Sequence, residues 1–141
     1  MKKLFVVLLV IVLAAGLAFA QKGKTIVYGT TDKVSKLDPA DAYDFHTWEL
    51  FYNVYQGLLG YTPGTSNLVP SLAESYSANA AGDEYTYKLR KGVKFSDGTP
   101  FNAQAVKWSI DRVVALNGDP SALITSYVDT VSAVDDYTVK F

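Results

Sequence analysis

The sequence predicts a fold that mixes short β-strands with helices, of the α/β or α+β class. Apolar and polar residues alternate in EYTYKLR and again in DDYTVKF, which is the period of a half-buried strand. Four apolar residues between these stretches recur instead at helical spacing: Val106, Ile110, Val113 and Val114. Turn-forming pairs, Asp97-Gly98 and Asn117-Gly118, separate the segments, so strands and helices follow one another along the chain.

The first third of the mature chain predicts one strand, one loop and one helix. Residues 26–28 are apolar and end at Gly29, which indicates a buried strand. A loop follows, because the residue before Pro39 is disfavoured in the helical region. A helix is then predicted from an N-cap at Thr47 to a C-terminal cap at Gly60. Its apolar residues share helical spacing: Phe51, Val54, Tyr55 and Leu58.

The middle of the chain predicts a hairpin. Residues 61–70 are rich in turn formers, and a short helical turn is expected at 72–74. Tyr76 should lie on the first strand of the hairpin. On the second strand, three residues should share the core face by their period of two: Tyr85, Tyr87 and Leu89. The opposite face should be solvated, through Thr86, Lys88 and Arg90.

The last third predicts a capped helix and a closing hairpin. Val93 and Phe95 should return to the core, and Asn102 should cap the helix that ends at Asn117-Gly118. Asp119-Pro120 should begin a further short segment, after which 131–134 should pair with 137–141. Because strand alternation continues to the final residue, we expect the chain to be an N-terminal fragment of a longer protein.

The first 20 residues have the pattern of a secretory signal peptide. A basic start, MKK, precedes an apolar run, and small residues stand at Ala18 and Ala20, which predicts cleavage after Ala20. The alternative is an uncleaved membrane anchor, for which the apolar run is slightly short. The chain has no cysteine, so we expect neither disulfides nor a lipid anchor at the cleavage point. The protein is therefore predicted to be periplasmic or extracellular.

The composition and motifs argue against several functions. A net charge of −1 gives no support for nucleic-acid binding. A single histidine, His46, cannot build a zinc site, and neither a nucleophile elbow nor a phosphate loop is present. A secreted glycoside hydrolase using Asp38 or Asp44 is the enzyme alternative, but both acids stand in turn-forming contexts. We expect no catalytic residues, no metal and no cofactor.

One loop is the best candidate for a ligand site on physical grounds. It follows the predicted strand at 26–28, and in open α/β sheets ligands bind beyond the carboxyl ends of strands. Aromatic rings in an irregular loop there could stack on sugars or peptides. The candidate binding residues are Tyr43, Asp44, Phe45 and His46.

Four stretches together resemble one protein family. They are TIVYGTTDKVSKLDPADAYD, YQGLLGY, LVPSLAESYSA and YTYKLRKGVKFSDGTPFNAQAVKWSIDRV. In this order and spacing they are similar to the family 5 extracellular solute-binding proteins, the peptide- and nickel-type receptors of ABC importers. The resemblance implies a class II periplasmic-binding-protein fold with two lobes and an additional domain. Residues 21–55 would begin the first lobe, and 56–141 would form an incomplete additional domain.

The resemblance also implies a function. The protein would be a monomer that closes its lobes over a small solute and presents it to a membrane permease. The solute expected first is a di- or oligopeptide, whose backbone could pair with the loop at 43–45. An oligosaccharide or a nickel complex is the alternative within the family. By resemblance, the stretch KLRKGVKFSDGTPF is scaffold beside the cleft.

Overall fold

The computed structural model of the protein describes residues 25–141, so the predicted signal peptide at 1–20 lies outside the described residues. The chain divides after Thr31 into two units. In the described part of the first unit, 25–31, the predicted strand is absent, and Ile26 and Val27 are each 90% exposed. The prediction was wrong because an apolar run forms a strand only where a neighbouring strand pairs with its backbone and another layer covers its side chains.

The first helix of the second unit begins three residues earlier than predicted. Helix α1 spans Phe45–Val54, and its N-cap is Asp44 rather than Thr47. The carboxylate of Asp44 accepts the amide proton of Thr47, and this places Thr47, which is fully buried, inside the first turn. A side chain that satisfies a free amide of the first turn is the general requirement for an N-cap.

Helix α1 also ends earlier than predicted. Tyr55 is extended, and Leu58 and Gly60 lie outside the helix. The carbonyl of Leu58 accepts from the amides of Ser71 and Ala73, at 3.2 and 2.9 Å. Backbone pairing with a segment distant in sequence therefore replaces the helical hydrogen bonds that the apolar spacing predicted.

A small hairpin follows. Strands β1, Leu59–Tyr61, and β2, Leu68–Pro70, pair antiparallel around the turn-rich residues between them. The next strand, β3, spans Ala73–Ala78 and occupies the position of the helical turn predicted at 72–74. Pairing along β3 satisfies the backbone from Ala73 onward, which a single helical turn could not do.

The main sheet has four antiparallel strands in the order β3-β4-β6-β5. Its other three strands are β4, Tyr85–Leu89; β5, Ser132–Asp135; and β6, Thr138–Lys140. Both predicted hairpins are present, β3 with β4 and β5 with β6. In addition β6 pairs with β4, so the last strand of the described chain lies between two others.

One helix covers this sheet. Helix α2 spans Ala103–Leu116, with Asn102 as N-cap and Asn117 in the left-handed conformation at its C-terminal end, as predicted. A 3₁₀ turn, Asp119–Ser121, and the short helix α3, Ala122–Thr125, lead to β5. None of the helices within residues 25–141 is long and apolar enough to cross a membrane.

The core lies between α2 and one face of the sheet. Its buried residues come from both layers: Ala73, Leu89, Phe101, Ala103, Val106, Val131 and Val139. Val93 packs against this core as predicted, but Phe95 is 48% exposed and contacts the ring of Phe101 edge-on. Phe95 begins the tight turn at Asp97-Gly98, since its carbonyl accepts from the amide of Gly98, and a residue at a surface turn is covered less than one within a strand.

Candidate functional site

The start of α1 is held in place by Asp44. One carboxylate oxygen accepts the amide proton of Thr47 at 2.9 Å, and the other accepts the Thr47 hydroxyl at 2.9 Å and the Ser35 hydroxyl. The Ser35 hydroxyl and then the Thr47 amide lower the pKa of Asp44 to about 2. Asp44 is therefore ionised at neutral pH, and its hydrogen bonds join the preceding loop to the helix.

All four predicted site residues line one groove. The groove has a volume of about 690 Å³ and is bordered by the end of the loop and the first two turns of α1. Its lining consists of Asp32, Tyr43, Asp44, Phe45, His46, Trp48, Glu49 and Tyr52. The groove is thus built from one short stretch of sequence and one acidic residue upstream.

Aromatic rings form one wall of the groove. Trp48 contacts Tyr43 and Tyr52 edge-on, with ring centroids 6.2 and 6.1 Å apart. The indole Nε1–H of Trp48 donates to the carbonyl of Ala42 at 2.8 Å, which fixes the plane of the ring. Phe45 is 94% exposed and extends the apolar surface at the helix start.

The polar lining of the groove is acidic. Asp32, Asp44 and Glu49 supply carboxylates, and the lining contains no lysine or arginine. His46 Nδ1 lies 3.5 Å from Asp32 Oδ2. Asp32 is largely exposed at the rim, whereas the imidazole is mostly covered. The groove therefore combines a negative charge with a rigid aromatic surface.

Sequence reasoning found the loop end of this groove and missed its helical side. Trp48 and Tyr52 stand four residues apart, so a helix that begins at Phe45 places them on one face. The helix predicted from Thr47 also placed these two rings on one face, but nothing in the local sequence indicated that Tyr43 would contact Trp48. The sequence did not indicate that Asp32 belongs to the groove, because its position there depends on the path of the loop.

The two acids proposed for a glycosidase, Asp38 and Asp44, both make contacts that stabilise the fold. Asp38 forms a bidentate ion pair with Arg112 of α2, with Nη1 to Oδ1 at 2.8 Å. The Arg112 guanidinium, and then the amide of Ala40, lower the pKa of Asp38 to about 2. A general acid in glycoside hydrolysis needs a raised pKa, so neither Asp38 nor Asp44 is suited to that role.

No candidate metal centre appears among residues 25–141, since no three or more His, Cys, Asp or Glu side chains there come together as possible ligands. A second groove, of about 460 Å³, lies between α2 and the segment around Leu58. It is mainly apolar and includes Trp108, which is 65% exposed.

Comparison with known proteins points to one family. The model for bacterial extracellular solute-binding proteins, family 5 Middle, matches residues 67–141. The chain is similar to a glutathione-binding protein, GsiB of Escherichia coli strain K12, at 39% identity over 133 residues. That match covers 91% of this chain and 25% of the relative, so the chain spans about a quarter of the relative's length.

Solved structures share the fold and the same partial coverage. MoaA of A. tumefaciens R10, in complex with mannopinic acid, has 33% identity and a TM-score of 0.64. The match covers 76% of this chain and 22% of MoaA. DppA of Helicobacter pylori, in complex with the peptide STSA, has 27% identity and a TM-score of 0.62, with 76% and 24% covered. The described chain thus has the fold of part of a periplasmic binding protein, as the sequence predicted.

Proposed function

The chain belongs to the bacterial extracellular solute-binding proteins of family 5, and on that premise we propose that it takes part in binding a solute for an ABC importer. The observation that carries the proposal is the aromatic groove at the start of α1. Rigid rings around an open groove of several hundred Å³ are typical of small-molecule sites. The expected partners are one small solute and a permease in the membrane, and the expected state is a monomer.

For the ligand, we propose a di- or oligopeptide. Similar proteins support this class, since one is named for glutathione and another was solved with the peptide STSA. The loop before α1 is extended at Asp44, and an extended backbone can pair with that of a peptide. The binding residues in this proposal are Tyr43, Asp44, Phe45 and His46, joined by Trp48 and Tyr52.

For the whole protein, we propose export by a cleaved signal peptide at 1–20 and a position outside the cytoplasm. Residues 21–55 would begin the first lobe, and 56–141 would be part of the additional domain of a receptor about four times longer. Solute binding would then close two lobes by a hinge motion.

An oligosaccharide is the second candidate ligand. The wall of Tyr43, Trp48 and Tyr52 favours it, because flat rings stack on the apolar faces of sugars. A nickel complex is a further alternative, which only membership of the family supports.

The test is calorimetric titration of the protein expressed from its complete native reading frame. The solutes are glutathione, the peptide STSA, a maltooligosaccharide and a nickel–histidine complex. We expect a peptide to bind and Trp48→Leu to weaken binding at least about tenfold, which is about 1.4 kcal/mol. Trp108→Leu, which removes the other tryptophan, is the matched control and should bind as the parent does. Binding of the sugar alone would replace the peptide proposal, and binding of none would overturn the proposed function.

A further inference from the structure

The junction between α2 and the 3₁₀ turn contains a chemically reactive pair, Asn117-Gly118. Asn117 is the one asparagine in the sequence that a glycine follows. The backbone nitrogen that follows an asparagine can attack the carbon of the asparagine side-chain amide, and glycine hinders this attack least because it has no side chain. Asn117 is exposed, so water reaches its side-chain amide.

The reaction of this pair needs only water. A bond forms between the Gly118 nitrogen and Cγ of Asn117, the bond from Cγ to Nδ2 breaks, and ammonia leaves. The Gly118 nitrogen gives its proton to the solvent, and the departing nitrogen takes a proton from the solvent. Water then opens the resulting succinimide ring at either carbonyl, which leaves aspartate or isoaspartate. A water is consumed, an ammonia is released, and nothing is oxidised or reduced.

The folded backbone holds the pair in an unreactive arrangement. Ring closure requires Cβ of Asn117 and the nitrogen of Gly118 to lie on the same side of the Asn117 Cα–C bond. At Asn117 φ is 49° and ψ is 38°, the left-handed conformation, and this ψ places the two atoms on nearly opposite sides of that bond. The Gly118 carbonyl also accepts from the Ser121 amide at 3.0 Å. Deamidation therefore requires a large rotation of the peptide group between the two residues.

The loop before α1 opposes that rotation. A Cβ at Gly118 would lie 2.7 Å from Asp41 Oδ1 and 3.1 Å from the Ala40 carbonyl oxygen, so the loop leaves little space around this residue. The same loop is fixed to α2 by the ion pair of Asp38 and Arg112. The reactive arrangement becomes accessible when the loop moves away from α2.

We propose that Asn117-Gly118 is a site of spontaneous deamidation, that the docked loop holds it inactive, and that isoaspartate there prevents the loop from docking again. In isoaspartate the main chain runs through Cβ, which lengthens it by one carbon atom where packing leaves little space. The modification is then a one-way release of the loop that borders the groove at the start of α1.

Mass spectrometry measures the reaction at this position alone. Trypsin cleaves after Arg112 and Lys140, and the peptide 113–140 contains Asn117 as its only asparagine and no glutamine. The protein expressed from the complete native reading frame is incubated at mildly alkaline pH, which favours loss of the proton from the attacking nitrogen.

The first comparison is between the folded and the unfolded protein. A site that reacts only when it is open reacts at the unfolded rate multiplied by the open fraction. We expect the folded protein to deamidate at least about tenfold more slowly than the same protein in guanidinium chloride. Equal rates, or no deamidation of the unfolded protein, would overturn the inference.

Three variants test whether the loop controls the reaction. Asp38→Ala removes the ion pair with Arg112 and should accelerate deamidation of the folded protein about two- to fivefold, as expected for a partly exposed pair. Asp111→Ala, the matched control, removes an ion pair with Lys107 within α2 and should leave the rate unchanged. Leu89→Ala destabilises the core rather than the loop and should also leave the rate unchanged. No acceleration in Asp38→Ala, or an equal acceleration in Leu89→Ala, would overturn the role of the loop.

The effect of the product is measured separately. Anion exchange separates the deamidated protein from the parent, because deamidation adds a negative charge. The deamidated protein should melt at a lower temperature than Asn117→Asp, which carries the same charge on an ordinary backbone. Equal melting temperatures would overturn the proposal that isoaspartate keeps the loop undocked.

Discussion

Asp44 has two roles that place different demands on its side chain. It supplies the N-cap of α1 and, at the same time, part of the groove's negative charge. The cap requires an acceptor oxygen, which an amide also provides, whereas the field of the groove requires the charge itself. Substitutions at this one position can therefore separate folding from binding.

We predict that Asp44→Ala lowers the free energy of unfolding by about 1 kcal/mol, through loss of the cap and of the bonds to Ser35 and Thr47. Asp44→Asn keeps an acceptor and should cost less than about 0.5 kcal/mol. Urea unfolding followed by circular dichroism measures both. If the asparagine variant were as unstable as the alanine variant, charge rather than capping would hold the helix start.

The sequence identified Asp44 as a site residue but not as the cap. Thr47 is also a good N-cap residue, and composition alone does not choose between two acceptors three positions apart. The choice depends on Ser35, which reaches Asp44 from nine positions earlier in the chain. The edge-on contact between Tyr43 and Trp48 could not be foreseen either, because it too depends on the path of the loop before the helix.

Local sequence determines some of the strand pairings in the main sheet but not all of them. The hairpins β3–β4 and β5–β6 were predicted, because alternation and turn residues specify neighbours in the chain. The pairing of β4 with β6 was not predicted, because the local sequence does not indicate which strands distant in the chain become neighbours in the sheet. Residues 26–28 and Leu58 were misassigned for the same reason, because their surroundings decide their conformation.

A substitution at Leu89 tests the assigned core beneath this sheet. It lies at the end of β4, is 2% exposed, and packs with Val106 and Val139 in the core. Leu89→Ala should lower the free energy of unfolding by about 2–5 kcal/mol, because the cavity it leaves is enclosed by α2 and the sheet. Leu68→Ala on β2, where the side chain is half exposed, is the matched control and should cost under about 0.5 kcal/mol. Equal losses measured by urea unfolding would contradict the assigned core.

One ion pair joins distant parts of the second unit. Asp38 and Arg112 are 74 positions apart, and their contact fixes the loop before α1 against α2. Close packing supports it, because a Cβ at Gly118 would lie 2.7 Å from Asp41 Oδ1 and 3.1 Å from the Ala40 carbonyl. The loop that borders the groove is therefore held against the helix that covers the main sheet.

This ion pair predicts a pH dependence of stability. The pKa of Asp38 is lowered to about 2 in the folded chain, from about 3.9 when unfolded. The stabilisation is thus present above about pH 4 and is lost as the pH falls towards about 2. Thermal melting across this range should show a smaller loss for Asp38→Asn, which cannot titrate, than for the parent. Parallel melting curves for the two proteins would contradict the assignment.

The central position of β6 has a consequence for biosynthesis. Because β6 is made after the other three strands of the main sheet and lies between β4 and β5, the four-stranded sheet cannot close until residue 140 has left the ribosome. The hairpin of β3 and β4 must wait with one edge unpaired, and such edges recruit other chains. A nascent chain with this topology should depend on holdase chaperones, and for a secreted precursor the same delay would keep the chain unfolded enough for translocation.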